Sequence, residues 1–269
     1  MTEPDTASRE ARALRALSFD TAAAQYDAAR PGYPPALFDA IEEITGHPLK
    51  GCRAVDVGAG TGIATRLLRD RGADVTAVEP GPGMASQLLR SLPGVALVLG
   101  SGDALPLADA SADLITYAQA FHWTDPERSV PEAMRVLRPG GALALWWNVA
   151  DPDVPWIAAQ DERLRRRLSG GAHGRPGRAR ELPDGMERLD RRVHWTRQVD
   201  VETHLANLGS HSAFLVLGEQ AAAAFLEQER AELLKVFPDG VVEEAYAVDL
   251  TVTLRAPDPS TVQEPSSTV

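Results

Sequence analysis

Val55-Asp56-Val57-Gly58-Ala59-Gly60-Thr61-Gly62 is the stretch whose reading decides the fold. The apolar run Arg53–Val57 has the length of a short buried strand, and it ends in three glycines at alternate positions. Ile63–Arg71 follows with Ile63, Leu67 and Leu68 on one side of a helix that Gly72 stops. In a strand–glycine turn–helix unit, backbone N–H groups can approach a ligand where a side chain would collide. A glycine turn alone is a weak signal. Here the next β-rich run, Asp74–Glu79, ends on an acid, Glu79, which can accept from both hydroxyls of a ribose. A dinucleotide site would show G-x-G-x-x-G, whereas the sixth position is Ile63 and the third glycine comes one residue early, at Gly62. Asp56 would also face the charge of a pyrophosphate. Both departures suit a cationic or zwitterionic nucleoside ligand. Asp56 has a second reading as a cap for the following turn.

Outward from this unit, strands and helices alternate. Gly83–Leu92 reads as a helix, Val95–Leu99 and Asp113–Tyr117 as strands, and Glu127–Leu137 as a helix ended by Pro139-Gly140-Gly141. Ala142–Trp147 is a strongly apolar strand. Such alternation predicts an α/β fold, doubly wound on a parallel sheet whose strands are buried on both faces. Upstream, Leu37, Phe38, Ile41 and Ile44 form the stripe of a helix over Pro35–Thr45, and residues 1–17 read as a further helix. After Asn148 the rhythm changes to a basic helix (Trp156–Leu168), a Gly/Arg/Pro segment read as mobile (Ser169–Arg180) and a strand (Val193–Val199). Two helices (Val201–Leu208, Glu219–Val236) and an alternating strand (Val248–Leu254) complete the ordered chain, before a Pro/Ser/Thr-rich tail expected to be disordered. The expected organisation is a lid or arm over 1–35, a cofactor-binding core over 36–150, a substrate-covering insertion with the final strands over 151–256, and a tail over 257–269.

The chain has 269 residues and a formal net charge of −11, which argues against a general nucleic-acid binder. The exception is local: ten Arg stand against four acids between Arg163 and Arg192, read as a solvated helix and loop. One cysteine, Cys52, excludes an internal disulfide and a cysteine metal centre. The absence of two or three His or acids at ligand spacing predicts no catalytic metal. No apolar stretch has the length of a membrane span, and the N-terminus lacks the pattern of a secretory signal. The expectation is a cytoplasmic monomer or homodimer with a small-molecule substrate, no nucleic acid and no membrane.

From Phe19 to about Asn148 the sequence resembles the class I S-adenosylmethionine-dependent methyltransferases, in the type 11 branch that acts on small molecules. Val55–Gly62 matches the family's first motif, bringing Asp56, Gly58, Ala59, Gly60 and Gly62 to the cofactor. Val78-Glu79-Pro80 followed by Met84 resembles the second, in which the acid holds the ribose and the Met packs on adenine. Ser101-Gly102-Asp103-Ala104-Leu105-Pro106 resembles the third, in which the Asp accepts from the adenine amino group. Ala118-Gln119-Ala120-Phe121-His122-Trp123 and Arg135–Gly141 match the fourth motif and the approach to the fifth strand. The resemblance implies S-adenosyl-L-methionine as cofactor and a seven-stranded Rossmann-like sheet, mostly parallel, with the seventh strand antiparallel. It also implies an N-terminal lid, and a helical insertion before the last strands that covers the substrate. Met84 as core and Asp103 as a turn residue are the plainer alternatives.

In similar enzymes a segment like Phe19–Pro35 closes over cofactor and substrate. Arg30 could then pair with the cofactor carboxylate, Tyr26 could line the transfer pocket and Tyr33 could reach the substrate; a packed arm is the alternative. Methyl transfer is an in-line displacement at a sulfonium carbon, so the protein mainly positions and excludes water, with a base where the acceptor carries a proton. His122, just after the fourth strand, is the candidate base, with a structural His beside Trp123 as the alternative. Trp123, Trp147, Asn148 and His211 are the candidate substrate-wall residues. A cofactor-binding protein that transfers no methyl group, such as a partner subunit or a cyclase, is the rival from another class.

Overall fold

The computed structural model describes residues 30–168, 182–183, 185–210, 214 and 218–257. The helix read over 1–17, most of the expected lid, the 169–180 segment and the tail from residue 258 lie outside the described residues. Helix α1 (Pro35–Thr45) opens with Pro in its first turn and ends where Gly46 takes a left-handed φ of 69°, its N–H closing on Glu42 O. The alternation then runs β1 (Arg53–Val57), α2 (Ile63–Asp70), β2 (Asp74–Glu79), α3 (Pro82–Ser91), β3 (Ala96–Leu99) and β4 (Ala112–Ala118). A 3₁₀ turn over Phe121–Trp123 leads to α4 (Pro126–Val136) and β5 (Leu137–Ala150). The second part comprises α5 (Pro155–Leu168), β6 (Leu189–Asp200), α6 (Val201–Gly209), α7 (Glu219–Val236) and β7 (Val241–Leu254).

The seven strands form one sheet in the order β3-β2-β1-β4-β5-β7-β6. β1 to β5 pair in parallel, and β7 runs antiparallel between β5 and β6. The apolar run of β5 is divided between two cores. Ala142, Ala144 and Trp146 join Leu37, Phe38 and Leu68 on one face, while Leu143, Leu145 and Trp147 join Val130, Ala133 and Val136 on the other. Helices on both faces are what allow such a continuous apolar strand, and they make the sheet doubly wound, as the alternation predicts.

Three elements differ from their sequence reading. Pro139-Gly140-Gly141, read as a helix stop, lies inside β5: α4 ends at Val136 and the chain turns straight into the strand. There the step from Ala112 to Leu114 on β4 faces the step from Leu137 to Ala142 on β5, a bulge that Gly140 accommodates with φ 78°. β6 and β7 are longer than their apolar runs because they pair with each other from Leu189↔Val252 to Asp200↔Val241. Their polar residues are the outward half of an edge hairpin, or are buried in pairs. The Arg-rich run is largely internally paired where it is described: Arg163 with Glu229, Arg165 with Asp161 and Glu162, Arg191 with Glu43 and Arg192 with Asp249.

Candidate active site

The glycine turn sits at the carboxyl edge of the sheet, where ligands of open α/β folds bind. Gly58 and Ala59 donate to Val78 O at the end of β2 (2.8 and 3.2 Å), which ties the turn to the neighbouring strand. Gly58, Gly60 and Gly62 all take left-handed φ values of 69°, 57° and 92°. Their packing reasons differ. A Cβ on Gly58 would lie 2.5 Å from Ala120 Cβ, and one on Gly62 would lie 2.9 Å from Leu92 and 3.0 Å from Leu88. Those two glycines let the turn press against the loop after β4 and against α3. A Cβ on Gly60 would meet nothing within 4 Å. It is the glycine that borders open space.

Glu79 is buried at 6% exposure, and its carboxylate joins the two loops: Oε2 accepts from Gly60 N–H and Oε1 from Gly81 N–H, both at 2.8 Å. A carboxylate offers about four lone-pair directions, and these two amides take one on each oxygen. Pro80 is exposed beside it, and Met84 is buried in the first turn of α3. Asp103 Oδ1 accepts from Asp125 N–H at 2.8 Å and so fixes the start of α4, while Ala104 is exposed. Asp56 is buried at 0% exposure, directly below the turn. Its oxygens accept from Thr65 Oγ1 (2.6 Å) and Thr116 Oγ1 (3.0 Å). Burial pushes the carboxyl up to about 6 against these hydrogen bonds. Asp56 therefore serves the turn by joining β1, α2 and β4.

The loop after β4 is gripped along its length. Gln119 stands at φ 55°, a strained position for a side-chain-bearing residue, with its N–H on Trp146 O (2.8 Å) and its amide on Tyr33 OH (3.4 Å). Tyr33 in turn meets Trp146 edge to face at 5.6 Å. His122 lies against Trp123 (ring centroids 4.5 Å) and accepts from Trp147 Nε1 through Nδ1 (3.4 Å). Trp147, read as a wall residue, is packed in the core at 4% exposure and reaches His122 through its indole N–H. Asn148 accepts from Trp195 Nε1 (3.0 Å), and Trp195 stacks on Tyr246. Arg30, read as a partner of the cofactor carboxylate, donates to Ser210 O at the end of α6 (3.2 Å). Tyr26 and His211 lie outside the described residues.

A polar chain in the second half escaped the sequence reading. Arg163 pairs with Glu229, Gln160 bridges Glu229 and His204, and His204 Nδ1 meets Glu244 Oε1 at 2.6 Å, with Arg197 on the other Glu244 oxygen. Burial pushes the Glu244 carboxyl up, but the His204 and Arg197 hydrogen bonds and charges outweigh it and hold the group below its usual range. The missed signal was Glu229 on the apolar stripe of α7, between Phe225 and Leu233.

A cavity of about 290 Å³ lies at the opposite, amino edge, lined by Ile41, Leu49, Cys52, Asp113 and Arg138 among others. Burial pushes the Cys52 thiol up to about 11, so it is no nucleophile there. Among the described residues no cluster of His, Cys and acids could hold a metal, and no helix is long and apolar enough to cross a membrane.

Strand order, the glycine turn and the acid that ends β2 define a class I methyltransferase fold. The family described as methyltransferase domain matches residues 55–145. An uncharacterized methyltransferase of Mycobacterium tuberculosis is 37% identical over 243 residues, covering 89% of this chain and 95% of the relative. A malonyl-[acyl-carrier protein] O-methyltransferase of Methylococcus capsulatus is 39% identical over 48% of this chain and 49% of its own length. Among solved structures, a candidate type II methyltransferase from Anaeromyxobacter dehalogenans superposes with a TM-score of 0.69 at 26% identity, over 85% of this chain and 99% of that one. The chain belongs to the methyltransferase-domain family and is a methyltransferase.

Proposed function

We propose that the protein transfers a methyl group from S-adenosyl-L-methionine to an oxygen or nitrogen of a small molecule. The observation that carries this reading is the Gly60–Glu79–Gly81 bridge at the carboxyl edge, beside the one glycine of the turn that borders open space. The donor set fits the group. Glu79 holds the ribose hydroxyls, Asp103 and Met84 flank the adenine, and the turn at Gly58–Gly62 brings backbone rather than side chain to the ligand. When bound, the cofactor supplies a methyl carbon activated by a sulfonium charge. The chain's own part would be to present Gln119 and His122 from the loop after β4, to exclude water with Tyr33 and the segment before it, and to seat the acceptor against Asn148. A secondary metabolite is the acceptor we favour, and α5 to α7 are the elements that choose it. The negative charge away from the Arg-rich run supports a small acceptor over a nucleic acid.

The test is calorimetric titration with S-adenosylhomocysteine and with NAD, followed by transfer of labelled methyl from S-adenosyl-L-methionine into small-molecule extracts. Binding of the first ligand alone and a labelled small product are expected. Binding of NAD alone, or label recovered only in nucleic acid, would overturn the reading.

A further inference from the structure

We propose that His122 meets the methyl acceptor as a hydrogen-bond donor through Nε2–H, and that Trp147 is the positioning residue that fixes this tautomer. The inference rests on the methyl-transfer reading above and narrows it to one class of acceptor, an oxygen anion such as a carboxylate or a phenolate.

An indole ring has one N–H donor and no acceptor lone pair in the ring plane. Trp147 Nε1–H points at Nδ1 of His122 at 3.4 Å, so Nδ1 is the accepting nitrogen. In a neutral imidazole the proton then resides on Nε2. In the imidazolium both nitrogens carry hydrogen, and Nδ1–H would oppose the indole N–H. Of the three forms of the ring, Trp147 supports one. The backbone on either side of the pair is held in place. Trp147 is packed among the core residues of β5, with Leu143 and Leu145 on the same face. His122 lies in a 3₁₀ turn anchored before it by Gln119 N–H on Trp146 O and by Ala120 against Gly58, and after it by Asp125 N–H on Asp103. The His122 ring also lies against Trp123.

The consequence concerns the acceptor. A general base at Nε2 needs a lone pair there, and that would move the proton to Nδ1 and set two N–H groups face to face. An Nε2–H donor instead holds an atom that already has electrons to give. An amine nitrogen has a single lone pair, and a hydrogen bond to it would block its attack. An oxygen anion has further pairs: one receives the His122 N–H while another forms the bond to the methyl carbon of the sulfonium donor. As that bond forms, the carbon–sulfur bond breaks and its electron pair returns to sulfur as a neutral thioether. No proton is released, so no base is required.

The test reads the ring directly. The full-length protein is labelled with ¹⁵N-histidine, and long-range ¹H–¹⁵N correlation spectra are recorded with and without S-adenosylhomocysteine. The chain has six His, and His122→Asn assigns the relevant signals by their loss. The expected result is an Nε2–H, Nδ1-unprotonated pattern for His122 in both states, and in Trp147→Phe a shift of at least about fivefold toward the other tautomer, the equilibrium equivalent of one ordinary hydrogen bond. An Nδ1–H pattern in the natural protein overturns the proposal, and so does a Trp147→Phe spectrum identical to it. Where Trp147→Phe fails to fold, the natural spectrum decides. Benzoate is expected to shift the His122 Nε2–H signal and benzylamine to leave it; the reverse, or no shift with benzoate, overturns the acceptor class. Loss of S-adenosylhomocysteine binding with the tautomer intact would instead sink the methyl-transfer reading.

Discussion

Asp56→Asn tests whether the carboxylate beneath the glycine turn is a structural joint or a ligand contact. The folded group titrates near 6 against 3.8 in its ordinary state, because burial penalises the charge more than the two threonine hydroxyls favour it. At pH 3 the group is protonated in both folded and unfolded chains and costs nothing. As pH rises past 3.8 the unfolded chain releases its proton while the folded chain keeps it, and stability falls. The fall ends once the folded group has ionised, just above pH 6. About two pKa units correspond to about 3 kcal/mol. An asparagine does not titrate, so the stability of Asp56→Asn minus that of the natural protein should rise by about 3 kcal/mol between pH 3.5 and 8, whatever its sign at the acid end. Urea unfolding at a series of pH values measures it, and the subtraction removes the other titrating groups. A difference that stays flat or falls refutes the desolvated carboxylate. In the same variant S-adenosylhomocysteine affinity should stay within about threefold, since both oxygens are held by Thr65 and Thr116. A loss of tenfold or more would make Asp56 a ligand contact after all.

Glu79→Ala should weaken S-adenosylhomocysteine by at least about 30-fold in calorimetry, since two charge-assisted hydrogen bonds are lost and the Gly60 and Gly81 amides lose their anchor. Unchanged affinity with an intact fold would remove Glu79 from the ribose. Glu229→Leu should lower stability by about 3–5 kcal/mol, because Arg163 is left without its buried partner, while Arg163→Met with Glu229→Leu should recover most of the loss; equal losses in thermal unfolding of the single and double variants would refute this. Deleting residues 1–29 should leave cooperative unfolding and most S-adenosylhomocysteine affinity but reduce methyl transfer, because the described core starts with Leu37 and Phe38; a deletion protein with full turnover would end the lid assignment.

The cofactor half was legible in the sequence because its constraints are local. Glycines at alternate positions, an acid closing the next strand, and apolar runs between helical stripes fix turn, strand and crossover from neighbouring residues alone. The elements Pro35–Thr45, Arg53–Val57, Asp74–Glu79 and Glu219–Val236 have the bounds read from the chain. What the sequence could not give was the partner of each side chain. Asp56 reads as a ligand group with a cap as the alternative, and nothing local in the chain shows that Thr116, sixty residues away, donates to it. The ends of β6 and β7 were lost because Asp190, Arg191, Arg192, Glu243 and Glu244 look like loop residues until the hairpin pairs them. His204 and Glu244 sit forty residues apart, and nothing local links them.

That contrast bears on how acceptor choice is encoded. The turn is built from backbone groups and one carboxylate, so its demands on sequence are few glycines and one acid. The half built from α5, α6, α7, β6 and β7 contains a chain of buried charges, Arg163–Glu229 and Arg197–Glu244–His204, with Gln160 between them. Buried ion pairs are a poor source of net stability, because desolvation offsets most of the attraction. They do supply direction: Arg163–Glu229 ties α5 to α7, Gln160–His204 ties α5 to α6, and Glu244 ties α6 and β6 to β7. Glu244 lies on the strand next to β5, whose Trp147 and Asn148 reach His122 and Trp195. Arg30 closes the same circuit from the N-terminal side through Ser210 O and by accepting from Arg197. Through Gln160, His204 and Glu244, helices α5 and α6 are thus tied to β7, the neighbour of the strand whose Trp147 meets His122. On the methyl-transfer reading proposed above, a change in the angle of these helices would move the acceptor relative to one ring nitrogen of His122.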